Sequence, residues 1–235
     1  MRLKSALRRG VAAAVIAGIV VSSGIPAYAG TWDIADGDIT VKAGDAEGTN
    51  RVTQGEKDVE DTDTVITGES KENTVTIDTS KGNVDVTFDD LKIDVSGKKE
   101  GNGSDDSPAQ ESKAAVTVQG DHDATIELDG DNELKSGGYN AGLEKNEHES
   151  EGTLTIKDDK GKDGSLTAEG GEGGAGIGGG KESTGSSITI RGGTIEAVGG
   201  SNAAGIGDGA GRASDDTDDP NPGDLYICLL YTSDA

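Results

Sequence analysis

One phrase of the chain occurs twice at a fixed offset. Gly164-Ser165-Leu166-Thr167-Ala168-Glu169-Gly170-Gly171 leads to Ala175-Gly176-Ile177-Gly178. Gly193-Thr194-Ile195-Glu196-Ala197-Val198-Gly199-Gly200 then leads to Ala204-Gly205-Ile206-Gly207, with 29 residues separating Leu166 from Ile195 and Ile177 from Ile206. A constant period near thirty, built from β-type triplets between glycine turns, predicts a solenoid and not a globule. Each copy can bury its apolar face only by stacking on its neighbour. Leu166 is therefore expected to stack in register on Ile195, and Ile177 on Ile206.

Composition decides between such a stack and disorder. Hydrophobic content is 31% and aromatic content 3%, too little for an ordinary globular core. An acidic, Gly-rich chain of that kind can stay unfolded. Against that stand the alternations Thr74 to Ile77, Val84 to Phe88 and Ser187 to Ile190, which read as half-buried strands. A thin aliphatic interior suits a solenoid, and the 39 glycines supply its tight corners. Further strands are read at Trp32-Asp33-Ile34, Asp38 to Val41, Thr64 to Thr67, Leu91 to Val95, Ala114 to Val118 and Ala124 to Leu128. Lys42 to Asp61 reads as a polar connection. Three coils align through Ile126-Glu127-Leu128, Leu154-Thr155-Ile156 and Ile188-Thr189-Ile190, and again through Leu143, Ile177 and Ile206. The fold class expected is all-β, a right-handed parallel β-helix truncated at its C-terminus; crossovers between parallel strands favour that hand.

Both ends read as foreign to the coil. Residues 1–29 have a cationic start (Arg2, Lys4, Arg8, Arg9), an apolar run from Val11 to Val21 and the small-x-small site Ala27-Tyr28-Ala29, the pattern of a signal peptide. Membrane contact is expected only through this segment during export. Residues 228–235, Cys228 to Ala235, resemble a translated sequencing adapter, so the lone cysteine is set aside and no disulfide framework is expected. Leu225-Tyr226-Ile227 resembles the triplet that opens each coil. Residues 30–227 form the expected β-helix, with polar insertions at 96–112 and 210–224.

The net charge is −24, and without the leader 17 basic residues face 45 acidic ones, a balance of −28. Such a surface repels a phosphate backbone and excludes nucleic acid as a partner. Two acidic groups carry the metal question. Asp121, Asp123, Asp129 and Asp131 flank one strand, and Asp158, Asp159 and Asp163 crowd the next corner. Carboxylates on adjacent turns supply the hard oxygen ligands that calcium takes, although Asp also favours turns for its own sake. The calcium nonapeptide pattern is absent, because Ala175 stands where its Asp is required. His122 and His148 lie in charged runs, and no nucleophilic or paired-histidine motif is present. Catalytic residues are therefore expected to be none. Arg191 is the one mature arginine read beside a coil face. Trp32 reads as a cap on the first coil, Phe88 as interior, and Tyr139, next to Gly137-Gly138, as the candidate sugar contact.

Taken in order, Thr31-Trp32-Asp33-Ile34, Ala114-Ala115-Val116, Gly138 to Leu143, Gly164 to Ala168 with Gly174 to Gly180, and Gly192 to Ile195 resemble the clostridial-type cell-surface carbohydrate-binding domain family. The resemblance spans most of Thr31 to Gly209. It implies a right-handed parallel β-helix like that of polysaccharide lyases, exported and non-catalytic, binding acidic or cellulosic polysaccharide with calcium as cofactor. The chain departs from the pattern at Asp208, which stands in place of Gly179, and in the insertion from residue 210. A structural surface stalk and a polysaccharide lyase are the two other functions this architecture could serve.

Overall fold

The computed structural model describes residues 29–97, 112–161, 163–185, 187–211 and 225–227. Almost all of the expected signal peptide, the adapter-like tail and most of both expected insertions lie outside the described residues. Among the described residues the protein is a stack of parallel strands, with two single-turn 3-10 segments and no helix long and apolar enough to cross a membrane.

The chain builds the stack one coil at a time. The first coil has β1 (Thr31–Asp33) and β2 (Ile39–Ala43), followed by a hairpin of β3 (Asn50–Gln54) and β4 (Lys57–Asp61). The second has β5 (Val65–Ser70) and β6 (Val75–Asp78); the third has β7 (Val84–Asp94) and β8 (Val116–Gln119). The fourth has β9 (Ala124–Asp129), β10 (Asp131–Lys135) and β11 (Leu143–Glu144); the fifth has β12 (Leu154–Lys157), β13 (Ser165–Glu169) and β14 (Ile177–Gly178). The sixth has β15 (Ile188–Ile190), β16 (Thr194–Val198) and β17 (Ile206–Gly207), and β18 (Leu225–Ile227) lies on β15.

Three faces result. Face one stacks β1, β5, β7, β9, β12, β15 and β18; face two stacks the end of β7 with β10, β13 and β16; face three runs from β2 through β6, β8, β11 and β14 to β17. The eleven-residue β7 serves two faces, pairing with β9 over Val84–Asp89 and with β10 over Lys92–Asp94. The chain turns between them at Asp90, whose φ is 51°. Successive rungs lie about 4.8 Å apart, the spacing of paired strands.

Interior columns run along the stack. Trp32, Ile66, Phe88 and Leu128 form one, and Val86, Ile126, Ile156 and Ile190 form another. Face three contributes Ile39, Val75, Val116, Leu143, Ile177 and Ile206. Leu166 pairs with Ile195 and Ile177 with Ile206, as the 29-residue offset requires. Trp32 stands at the head of its column, and its Nε1 donates to Asp61 Oδ2 at 2.7 Å.

Two sequence expectations need correction. Ala124, not Ile126, pairs with Leu154. A shift of two residues keeps the same side chains inward, so alternation alone cannot detect it. The Lys42–Asp61 stretch is also not a simple connection: β3 and β4 extend face three as antiparallel strands. Each carries a single valine among polar residues, which hides the pattern, and Gly55 turns between them with φ of 59°.

Candidate functional site

The outward residues of face one repeat in register. Asp85, Thr125, Thr155 and Thr189 form one row. Thr87, Glu127 and Lys157 form the next, and the Arg191 N–H donates to Ile156 O at 2.8 Å, which carries that row one rung further. Apart from Thr189, the residues of these rows floor a groove of about 890 Å³ along the stack, which also includes His122 and Lys81.

Both walls are held by carboxylates. On one side stands the turn between β2 and β3. Glu60 Oε1 accepts from the Asp45 N–H at 2.6 Å, the Ala46 N–H at 3.0 Å and Thr49 Oγ1 at 3.0 Å. These bonds, led by that from Ala46, lower the Glu60 pKa. Asn50 ties the hairpin to face one, donating to Thr64 Oγ1 at 2.9 Å and to Asp85 O at 2.6 Å.

The other wall is the turn after β12. Glu127 is 4% exposed, and its Oε1 accepts from the Asp159 and Lys160 N–H groups at 2.7 Å each. Its Oε2 lies 3.3 Å from Lys157 Nζ, an ion-pair contact without hydrogen-bond alignment, and has no hydrogen-bond partner. Lys157 also pairs with Asp159 at 3.0 Å, and Lys160 Nζ lies 3.4 Å from Asp63 Oδ1. Among the described residues the side chains of Arg191 and Lys81 form no ion pair.

The seven aspartates expected to hold calcium are distributed among turns. Asp121 is exposed before β9, and Asp123 Oδ1 accepts from the Thr153 N–H at 2.8 Å. Asp129 is in register with Asp89, where burial, then Asp129 and Asp90, raise the Asp89 pKa. Asp131 accepts from Ser165 Oγ at 2.9 Å, and Asp158 Oδ2 accepts from the Gly164 N–H at 3.2 Å. Asp159 belongs to the groove wall through Lys157, and Asp163 is exposed beyond it. Among the described residues no group of three or more His, Cys, Asp or Glu side chains is arranged to hold a metal ion.

Tyr139 is 38% exposed with φ of 68°, and the Lys181 ammonium sits 4.2 Å from its ring centroid. It lines a smaller groove of about 470 Å³ with Lys135, Glu169 and Glu172, apart from the face-one groove. His148 lies exposed on a 3-10 turn, while His122 Nδ1 is 2.9 Å from Thr79 O. Asp208 does the work of Gly179: its carbonyl accepts from Ala204 N–H as that of Gly179 does from Ala175 N–H.

Sequence reasoning missed Glu127, Lys157 and Lys160. Their one trace was position, since Glu127 and Lys157 occupy outward places in aligned strands. It also missed two buried ionisable neighbours. Lys145 is fully buried, with Nζ donating to Ser150 O at 2.9 Å, and burial lowers its pKa to about 8. Burial raises the Glu144 pKa to about 6, against hydrogen bonds from the Ala141 N–H and Asn146.

Comparison with known families matches residues 162–181 and 188–210 to a β-helix repeat. The two stretches lie in the fifth and sixth coils, where the 29-residue phrase recurs. No curated protein and no solved structure matches the chain.

Proposed function

We propose that this is an exported bacterial surface protein, a right-handed β-helix that binds an extended polysaccharide along face one without cleaving it. The observation that carries the reading is the groove, floored by Thr125 and Thr155 in register on successive rungs, with Thr87 on the rung before them. A polymer that repeats along its length can meet the same donor and acceptor at each rung. Lys160, Arg191 and Lys81 offer donors at its sides. The β-helix repeat match supports the reading, because such coils recur in proteins that handle polysaccharides.

Calcium enters the proposal as a bridge. A strongly acidic surface repels a polyuronate, so contact away from the basic wall would run through a divalent ion held between exposed carboxylates and the ligand. Tyr139 is proposed as a secondary sugar contact, through the part of its ring that Lys181 leaves open.

Affinity electrophoresis through gels containing neutral glucan or polyuronate tests both parts. Retardation in at least one gel is expected. Replacing Thr125 and Thr155 together by Gln should fill the floor without adding charge and weaken binding at least tenfold, about 1.4 kcal/mol. Undiminished binding would place the site elsewhere. Chelator should release the polyuronate and leave neutral glucan bound; equal retention of polyuronate with and without chelator would remove calcium from the proposal.

A further inference from the structure

We infer that Glu127 is a positioning residue of the groove, holding the turn after β12 against face one so that Lys160 stands as a basic wall beside Lys157 of the floor. The inference rests on the glycan-binding reading above.

Glu127 projects outward from β9 between Thr87 and Lys157, yet it is 4% exposed. A carboxylate withdrawn from water is costly unless its oxygens are served. Here one oxygen takes the consecutive N–H groups of Asp159 and Lys160, at 2.7 Å each. Two successive amides aimed at one point form an anion-binding concavity, filled in this case by a side chain of the preceding rung. The other oxygen faces the Lys157 ammonium at 3.3 Å and is sealed from solvent. The same carboxylate therefore fixes the backbone of the turn and the head group of the strand that leads into it.

The consequence reaches across the groove. With its backbone pinned, Lys160 extends its ammonium to within 3.4 Å of Asp63 and 3.5 Å of Thr87 Oγ1. Arg191, one rung beyond Lys157, has no ion-pair partner among the described residues. Glu127 thus determines where the basic wall stands and how much of its charge a ligand meets.

Two substitutions separate the roles. E127Q keeps an oxygen for the two amides and removes the charge opposite Lys157, whereas E127A removes both. Amide exchange at Asp159 and Lys160 is read beside titration with a soluble polyuronate and a neutral glucan. In E127A those two amides should exchange at least tenfold faster, and both ligands should bind at least tenfold more weakly. E127Q should bind polyuronate more tightly than wild type, a gain erased by high salt.

Wild-type exchange and wild-type binding in E127A would overturn the positioning role and leave the glycan-binding reading standing. Should E127A not fold, unchanged polyuronate affinity in E127Q would overturn it. A wild-type protein that binds neither ligand would instead overturn the reading on which the inference depends.

Discussion

Glu144 and Lys145 are consecutive residues with opposite burdens. The Glu144 pKa is raised from 4.5 to about 6 by burial, so its contribution to stability is full below about pH 4.5 and is lost as pH rises through about 6. The Lys145 pKa is lowered from 10.5 to about 8, so its contribution is full above about pH 10.5 and is lost as pH falls through about 8. Together these two groups therefore contribute least to stability between about pH 6 and pH 8, where both are charged. At about 1.4 kcal/mol per pKa unit the swings are on the order of 2 kcal/mol for Glu144 and 3 kcal/mol for Lys145. Melting temperature followed from pH 4 to pH 10 checks this. Lys145→Met should flatten the alkaline limb and raise the melting temperature at pH 7, because a buried cation gives way to an apolar chain of similar length. An unchanged alkaline limb in that variant would mean that another group titrates there.

At the scale of the element, position in the stack matters more than residue type. Leu166 is fully buried between Asn132 and Ile195 in register, whereas Ile195 is half-buried on β16, which has no described strand on its far side. Leu166→Ala should cost about 2–5 kcal/mol and Ile195→Ala less than half of that, measured by denaturant unfolding. Equal losses would contradict the pairing order.

Asn132 itself interrupts an aliphatic column, yet every group of its amide is engaged. Its Oδ1 accepts from the Leu91 N–H, and its Nδ2 donates to Asp129 O and Ser165 O. It stitches three coils at the corner between faces one and two. The glycine of the Ala-Gly-Ile phrase has a similar structural cause. A Cβ on Gly176 would lie 2.6 Å from Gly205 O and from Val198 N, so Gly176→Ala should destabilise the fifth and sixth coils together.

The whole molecule is a one-dimensional array, in which each coil is stabilised by the two beside it. Hydrogen exchange should be slowest in β7, β9 and β10, which have partners on both sides, and faster in β16 and β17 and in the outer strand β4. Uniform protection along the stack would mean that the coils unfold as one unit, against the nearest-neighbour picture. The outer strand β4 carries Lys57, Asp58 and Glu60 along its length, charges that discourage pairing with another chain.

Period, alternation and glycine spacing were enough to establish from sequence an all-β stack of parallel coils and the pairing of Leu166 with Ile195 and of Ile177 with Ile206. Each of these follows from repetition, and repetition is visible in one dimension. The register of Ala124 on Leu154 was not legible, because a two-residue slip conserves the inward pattern. The groove was not legible either. Its floor and walls are assembled from residues more than a hundred positions apart, joined only when successive coils lie on one another. Glu127 looked like one acid among 45, and only the tertiary structure, by setting two amides and an ammonium around it, distinguished it from the aspartates that serve turns.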